Sequence, residues 1–385
     1  MTRLISLDGT LQGAADPRLE QLVARLAGFL QADSDLSFQA AAFHDGEAVL
    51  DVWGGPHLGE HTVTVPFSAT KNTIGLSVAL LLQRGQLDLD APVAEYWPEF
   101  AQKGKARVTV RQLLSHQAGL PQARPALSRA ELFDAHAGAE RLAATTPFWH
   151  PGSAFGYHAL TIGNLASELV FRVTGRTLNE FYEDEIRHPY GVDFFLGLPA
   201  TEEVRRTETL PMIPPADAGP MAPPSLLAPL VFGGPILDLA NEPASWRFGH
   251  PAVSGTGTAR GLARLFAAAV SGVDGRAPFL SEDTVLAIGQ QQVRGHDEVL
   301  GQADRAHAVV FQKPTPALAF GGPRAFGHDG AQGALACVDP DTGVAFAWTI
   351  ARGAWPGGAD PRALVLARDL GALLAAGTGP ETVNR

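Results

Sequence analysis

The stretch from Val65 to Leu82 constrains the chain most. Pro66, Phe67 and Ser68 lead into a long apolar run, which reads as the start of a buried helix. Ser68 and Lys71 stand three residues apart at its entrance, so both fall on one helical face, close enough to exchange a proton. A serine hydroxyl is a weak nucleophile and needs a base beside it. Lysine can serve only if its pKa is depressed by an apolar wall or by nearby positive charge. The run Ile74 to Leu82 would be the wall, and the helix N-terminus would add partial positive charge. With 14 serines and four lysines in the chain, Ser-x-x-Lys arises by chance about 0.15 times. The competing reading is an N-capping serine beside a lysine in water, so the rest of the chain has to decide.

At 385 residues the chain exceeds a typical single domain. Its formal net charge is −11 and no Lys/Arg run occurs, which excludes the basic footprint of a nucleic-acid binder. Cys337 is the sole cysteine, so neither an intramolecular disulfide nor a thiolate metal cluster can form. It sits in an apolar segment as a small core residue. The N-terminus shows no signal-peptide h-region, and no stretch is apolar enough to span a membrane. A cytoplasmic protein without a membrane partner is expected.

Leu19 to Leu30 has helical periodicity, and Phe38 to Phe43 and Ala48 to Trp53 flank an Asp45-Gly46 hairpin turn. His57-Leu58-Gly59-Glu60-His61 matches a zinc-protease spacing, but Gly54, Gly55, Pro56 and Gly59 make it loop, so no metal is expected. Helices are expected at Val108 to His116, Arg129 to Leu142, Leu160 to Val173 and Leu178 to Ile186. Eight prolines between Pro211 and Pro235 preclude regular structure there. A helix then starts at Thr258, and strands are expected at Ala306 to Phe311, Leu335 to Val338 and Val344 to Ile350. A last helix runs from Pro361 to about Ala375. The order of strands, helices, strands implies an α+β fold. Residues 1–85 and 245–385 would build an antiparallel sheet domain, with a mainly helical domain at 86–244 carrying the proline-rich loop 211–235.

Two more stretches fit the opening motif. Pro151-Gly152-Ser153-Ala154-Phe155-Gly156-Tyr157 places a tyrosine just before a helix. Gly327-His328-Asp329-Gly330 is a glycine-dense segment of the kind that lets backbone approach a ligand. With Ser68-Ala69-Thr70-Lys71 and Leu113-Leu114-Ser115-His116-Gln117-Ala118-Gly119-Leu120-Pro121, the chain resembles the serine β-lactamase and penicillin-binding-protein superfamily over roughly residues 20 to 375. It looks most like the branch shared by class C β-lactamases and family VIII carboxylesterases.

The resemblance implies that Ser68 is the acyl-accepting nucleophile, with Lys71 and Tyr157 as the general-base pair. It places the oxyanion hole at the backbone N–H groups of Ser68 and Ala331. His328 and Gly330 would contact substrate, with Gln122 after the Gly-Leu-Pro turn as a further contact. Trp149, Phe155, Trp246 and Phe248 would wall an acyl pocket. No cofactor is implied, and the partner is a small-molecule ester; the oligomeric state stays open. Ser77 lies mid-helix and is structural; no serine satisfies the full nucleophile elbow of α/β-hydrolases. Two departures bear on substrate. Lactamases of this branch carry Tyr-x-Asn, whereas here the run is Tyr157-His158-Ala159. Their Lys-Thr-Gly lysine is replaced by His328, expected to be partly charged near pH 7. Both departures, and the missing signal peptide, favour an esterase acting on uncharged esters. A β-lactamase, a D-amino-acid peptidase or amidase, an acyltransferase and a non-catalytic relative are the alternatives.

Overall fold

The computed structural model describes residues 4–219, 223–232 and 236–376, so part of the proline-rich loop lies outside the described residues. Seven strands form one antiparallel sheet. They are β1 (Ile5–Asp8), β2 (Leu11–Ala15), β3 (Phe38–His44), β4 (Glu47–Gly54), β5 (Phe326–Asp329), β6 (Leu335–Asp339) and β7 (Val344–Ile350). Their order is β1-β2-β4-β3-β7-β6-β5, so the two ends of the chain meet where β3 pairs with β7.

Alternation along the central strands sorts side chains onto two faces. Phe38, Ala40, Leu335, Cys337, Phe346 and Trp348 face one side, where α1 (Glu20–Ala32) and α5 (Pro361–Ala376) cover them. Phe38 and Trp348 stack there with ring centroids 4.3 Å apart. Cys337 is buried in this layer and free, as its apolar setting implies. The other face is mostly alanine: Ala41, Ala336, Ala345 and Ala347. Such short side chains let a helix approach closely, and α4 (Ala259–Val270) packs there with Ala263 and Ala267 buried. Beyond it lie α2 (Lys71–Gln83), whose residues from Lys71 to Leu81 are all buried, and α3 (Thr161–Thr174). The mixed helix and antiparallel-sheet architecture read from the sequence is the one observed. No helix among the described residues is long and apolar enough to cross a membrane.

Several local expectations need correction. The helix expected over Arg129 to Leu142 is two, Arg129–Leu132 and Ala137–Ala144. Asp134 breaks it by accepting the N–H groups of His136 and Ala137 at 2.8 and 2.7 Å, the usual competition of a short polar side chain with a helix. The helix expected over Val108 to His116 covers only Val110–Leu114, started by the capping box of Thr109 and Gln112. Beyond Tyr182 the helix expected to reach Ile186 loosens into a π-helical turn. The strand expected to reach Phe311 ends at His307. There Val310 turns left-handed (φ 69°), and its N–H donates to the Leu114 carbonyl at 2.8 Å instead of to a strand.

Candidate active site

Ser68 does not sit within the long helix but in a 3-10 turn, Phe67–Thr70, immediately before α2. Phe67 has φ 48°, a left-handed conformation that a bulky residue adopts only when its surroundings impose it. Its ring is buried with Val65, Leu198 and Trp246, which supplies that constraint. The turn leaves Ser68 half-buried while Lys71, the first residue of α2, is wholly buried.

Lys71 Nζ lies 3.0 Å from Ser68 Oγ and donates to the Ala252 carbonyl at 2.8 Å. It also stands over the Tyr157 ring, 4.9 Å from the centroid. Burial holds its pKa well below the ordinary lysine value, against a weaker opposing pull from the Asp329 charge. A neutral amine donates to Ala252 and turns its lone pair to the Ser68 hydroxyl, which is the geometry of a general base.

Tyr157 is buried, and burial raises its pKa above the ordinary phenol value, against a weaker opposing influence of the nearby Ser68 side chain. Its hydroxyl therefore carries a proton at neutral pH. Its backbone N–H donates to both oxygens of the buried Asp297 at 3.1 Å each, and that carboxylate also takes the N–H groups of Val299 and Leu300. Nothing in the sequence around Asp297 marks this anchor, 140 residues from the tyrosine it holds.

His328 faces Tyr157 across the site: its Nε2 is 3.4 Å from the phenol oxygen, and its Nδ1 is 2.7 Å from the Asp329 carbonyl. The latter contact assigns the proton to Nδ1 and leaves Nε2 to accept from Tyr157. The expectation of a partly charged His328 fails, because burial holds its pKa well below the ordinary imidazole value. It acts as a neutral acceptor.

Gly330 lies where a Cβ would meet the Pro66 carbonyl at 2.1 Å, so only glycine lets the segment after β5 press on the turn carrying Ser68. Ala331, the next residue, packs against the apolar cluster that holds Phe67, the neighbour of Ser68. Gln122 spends its side chain on loop contacts, with Oε1 accepting from Ala123 and Leu127 and Nε2 donating to the Leu230 carbonyl. The four aromatics do not share one wall. Trp149 meets the His158 ring and Phe155 the His307 ring, Trp246 packs with Phe67, and Phe248 packs with Phe133 and His250. The His57 to His61 segment is a turn, tied down by Gln39 donating to the Gly59 and Thr62 carbonyls. Ser77 is buried within α2.

Two supporting groups escaped the sequence. Around Tyr157 pack the rings of His116 and His307, at centroid distances of 5.2 and 6.2 Å. Behind Lys71, His250 accepts the Ala252 N–H at Nδ1 (3.3 Å) and donates from Nε2 to Asn164 (3.3 Å). It thus holds the peptide segment whose carbonyl orients the amine. Gly163 makes room for it, since a Cβ there would meet the imidazole at 2.4 Å. The Leu-Ser-His-Gln-Ala-Gly motif could have pointed to His116; only the three-dimensional arrangement points to His250.

The fold is that of a β-lactamase-type protein. The profile of the Beta-lactamase family matches residues 22–369, and the chain belongs to that family. It is 33% identical over 357 residues to "Esterase/beta-lactamase LipL" of Mycobacterium tuberculosis, covering 87% of this chain and 81% of the relative. Among solved structures it resembles EstA from Arthrobacter nitroguajacolicus Rue61a, with a TM-score of 0.89, 39% identity, and coverage of 95% of this chain and 99% of that one. It also resembles a family VIII carboxylesterase, with a TM-score of 0.84, 30% identity, and coverage of 93% and 98%.

Proposed function

We propose that the protein is a serine carboxylesterase working through a covalent acyl-enzyme on Ser68. The observation that carries this is the 3.0 Å approach of a wholly buried Lys71 to a half-buried Ser68. Ser68 Oγ attacks the ester carbonyl as its proton passes to the neutral Lys71 amine. Tyr157, protonated and close to both, relays that proton to the departing alkoxide. The N–H groups of Ser68 and Ala331 hold the oxyanion of the tetrahedral intermediate. Water then enters by the reverse path, with Lys71 and Tyr157 taking its proton and the Ser68 hydroxyl restored.

Ala159 and His328 favour esters over β-lactams, because neither the amide nor the cation that this branch uses on an antibiotic stands at those positions. The esterase names of LipL, EstA and the family VIII structure point the same way. The LipL name also keeps β-lactam hydrolysis as the second reading. A parallel assay with a nitrophenyl ester and a chromogenic cephalosporin separates them. Ester turnover exceeding cephalosporin turnover by orders of magnitude is expected; the reverse ratio contradicts the proposal.

A further inference from the structure

Arg305 is 7% exposed and stands in a short strand, Arg305–His307, paired antiparallel with Val293–Gly295. Residues two apart on a strand share a face, so Arg305 points the same way as His307. The His307 ring lies nearly parallel to that of Tyr157, with 6.2 Å between centroids. Arg305 thus lies on the same strand face as His307, whose ring stacks on that of Tyr157. Its charge is felt at Tyr157, His307 and His328 alike.

No carboxylate answers that charge. Among the described residues Arg305 has no ion pair and no side-chain hydrogen bond, and its Nε is sealed from solvent without a partner. The two acidic groups nearby are otherwise committed. Asp297 holds the N–H groups of Tyr157, Val299 and Leu300. Asp329 accepts from Gln312 and from the Ala359 N–H. Only Nε is sealed, so the terminal nitrogens remain the reachable end of the guanidinium. A buried guanidinium without a counter-ion is costly, and such a group at an active site marks a place where the ligand supplies the missing charge.

Tyr157 delivers the proton to the leaving oxygen, so groups beyond Tyr157 face the alcohol part of the ester, away from the acyl part. We propose that Arg305 binds a carboxylate on the alcohol portion of the substrate, making esters of hydroxy acids the preferred class. The guanidinium fork matches a carboxylate bidentately. This deepens the esterase reading and rests on it for the reaction, and it replaces the expectation of uncharged esters. That expectation rested in part on the lysine lost at His328; Arg305 supplies a cation from another strand.

The test pairs 4-acetoxybenzoate with its neutral counterpart 4-acetoxybenzamide. The native enzyme should prefer the carboxylate, and Arg305→Gln should lower kcat/KM for it by about thirtyfold while leaving the amide-bearing ester within about threefold. Arg305→Lys should keep part of the preference. The melting temperature of Arg305→Gln should hold or rise, because an unpaired buried charge is removed; a purely structural arginine would lower it. Binding is read separately, by calorimetry on Ser68→Ala with 4-hydroxybenzoate and 4-hydroxybenzamide. Tighter binding of the hydroxybenzoate, abolished by Arg305→Gln, supports the assignment even if turnover of both esters is absent and the esterase reading falls. Equal binding of the two, or equal losses on both esters, overturns it.

Discussion

Lys71 Nζ donates to the Ala252 carbonyl at 2.8 Å, and that contact aims the amine at Ser68. A lysine side chain has several rotatable bonds; fixing its tip from a separate element holds the buried amine at the Ser68 hydroxyl.

Replacing Lys71 by Ala or Arg should lower kcat by about a thousandfold or more, since members of a catalytic unit fail together. Arginine keeps a cation but cannot give up its proton, so it should rescue nothing. Steady-state kinetics on a nitrophenyl ester measure this, and an active Lys71→Arg enzyme would exclude Lys71 as the base.

Because burial depresses the Lys71 pKa and raises that of Tyr157, activity needs a neutral amine and a protonated phenol. As pH falls through the depressed Lys71 pKa the base is lost, so kcat/KM should drop on the acid side. It should stay level into mildly alkaline solution, with no basic limb near pH 8. Tyr157→Phe should lower the plateau by orders of magnitude. A bell centred near neutrality with a basic limb there would contradict the assignment.

His250 should act as a positioning residue. Its imidazole bonds the Ala252 N–H and Asn164 but lies outside reach of substrate. His250→Ala should lower kcat by about tenfold with little change in KM and should move the acid limb, as Lys71 loses its orientation. A loss of stability with an unmoved pH profile would limit His250 to packing.

Burial lowers the pKa of His158 to about 4 and of His250 to about 3, while the unfolded chain titrates near 6.5. Above that value both states are neutral and these groups leave stability unchanged. As pH falls below it the unfolded chain takes up the protons first, so stability falls by about 1.4 kcal/mol per pH unit for each imidazole until the folded pKa is reached. Urea midpoints at pH 7.5 and 5 check this; equal stability at the two values would show these rings to be accessible.

Where the sequence was decisive, the signal was local. The Asp45-Gly46 turn, with both residues at positive φ, is built into the β3–β4 hairpin, and Asp339 to Gly343 joins β6 to β7. Ser68 and Lys71 meet because they are three residues apart. What stayed hidden depends on long-range pairing. Asp297 anchors Tyr157, Ala252 orients Lys71, and the four histidines His116, His158, His307 and His328 converge from four separate segments. His328 was found but its charge was misjudged, since only the folded environment shows that it is buried. The break at Asp134 was a matter of one side chain outcompeting a helix that periodicity alone favoured.

Ser68 should carry the acyl group during turnover, and intact-protein mass spectrometry with peptide mapping reads this out. Quenching the enzyme during turnover of a slow aryl ester should show one added acyl mass, mapped to the peptide bearing Ser68 and absent from Ser68→Ala. Acylation at any other residue, or ester hydrolysis retained by Ser68→Ala, would rule out Ser68 as the nucleophile.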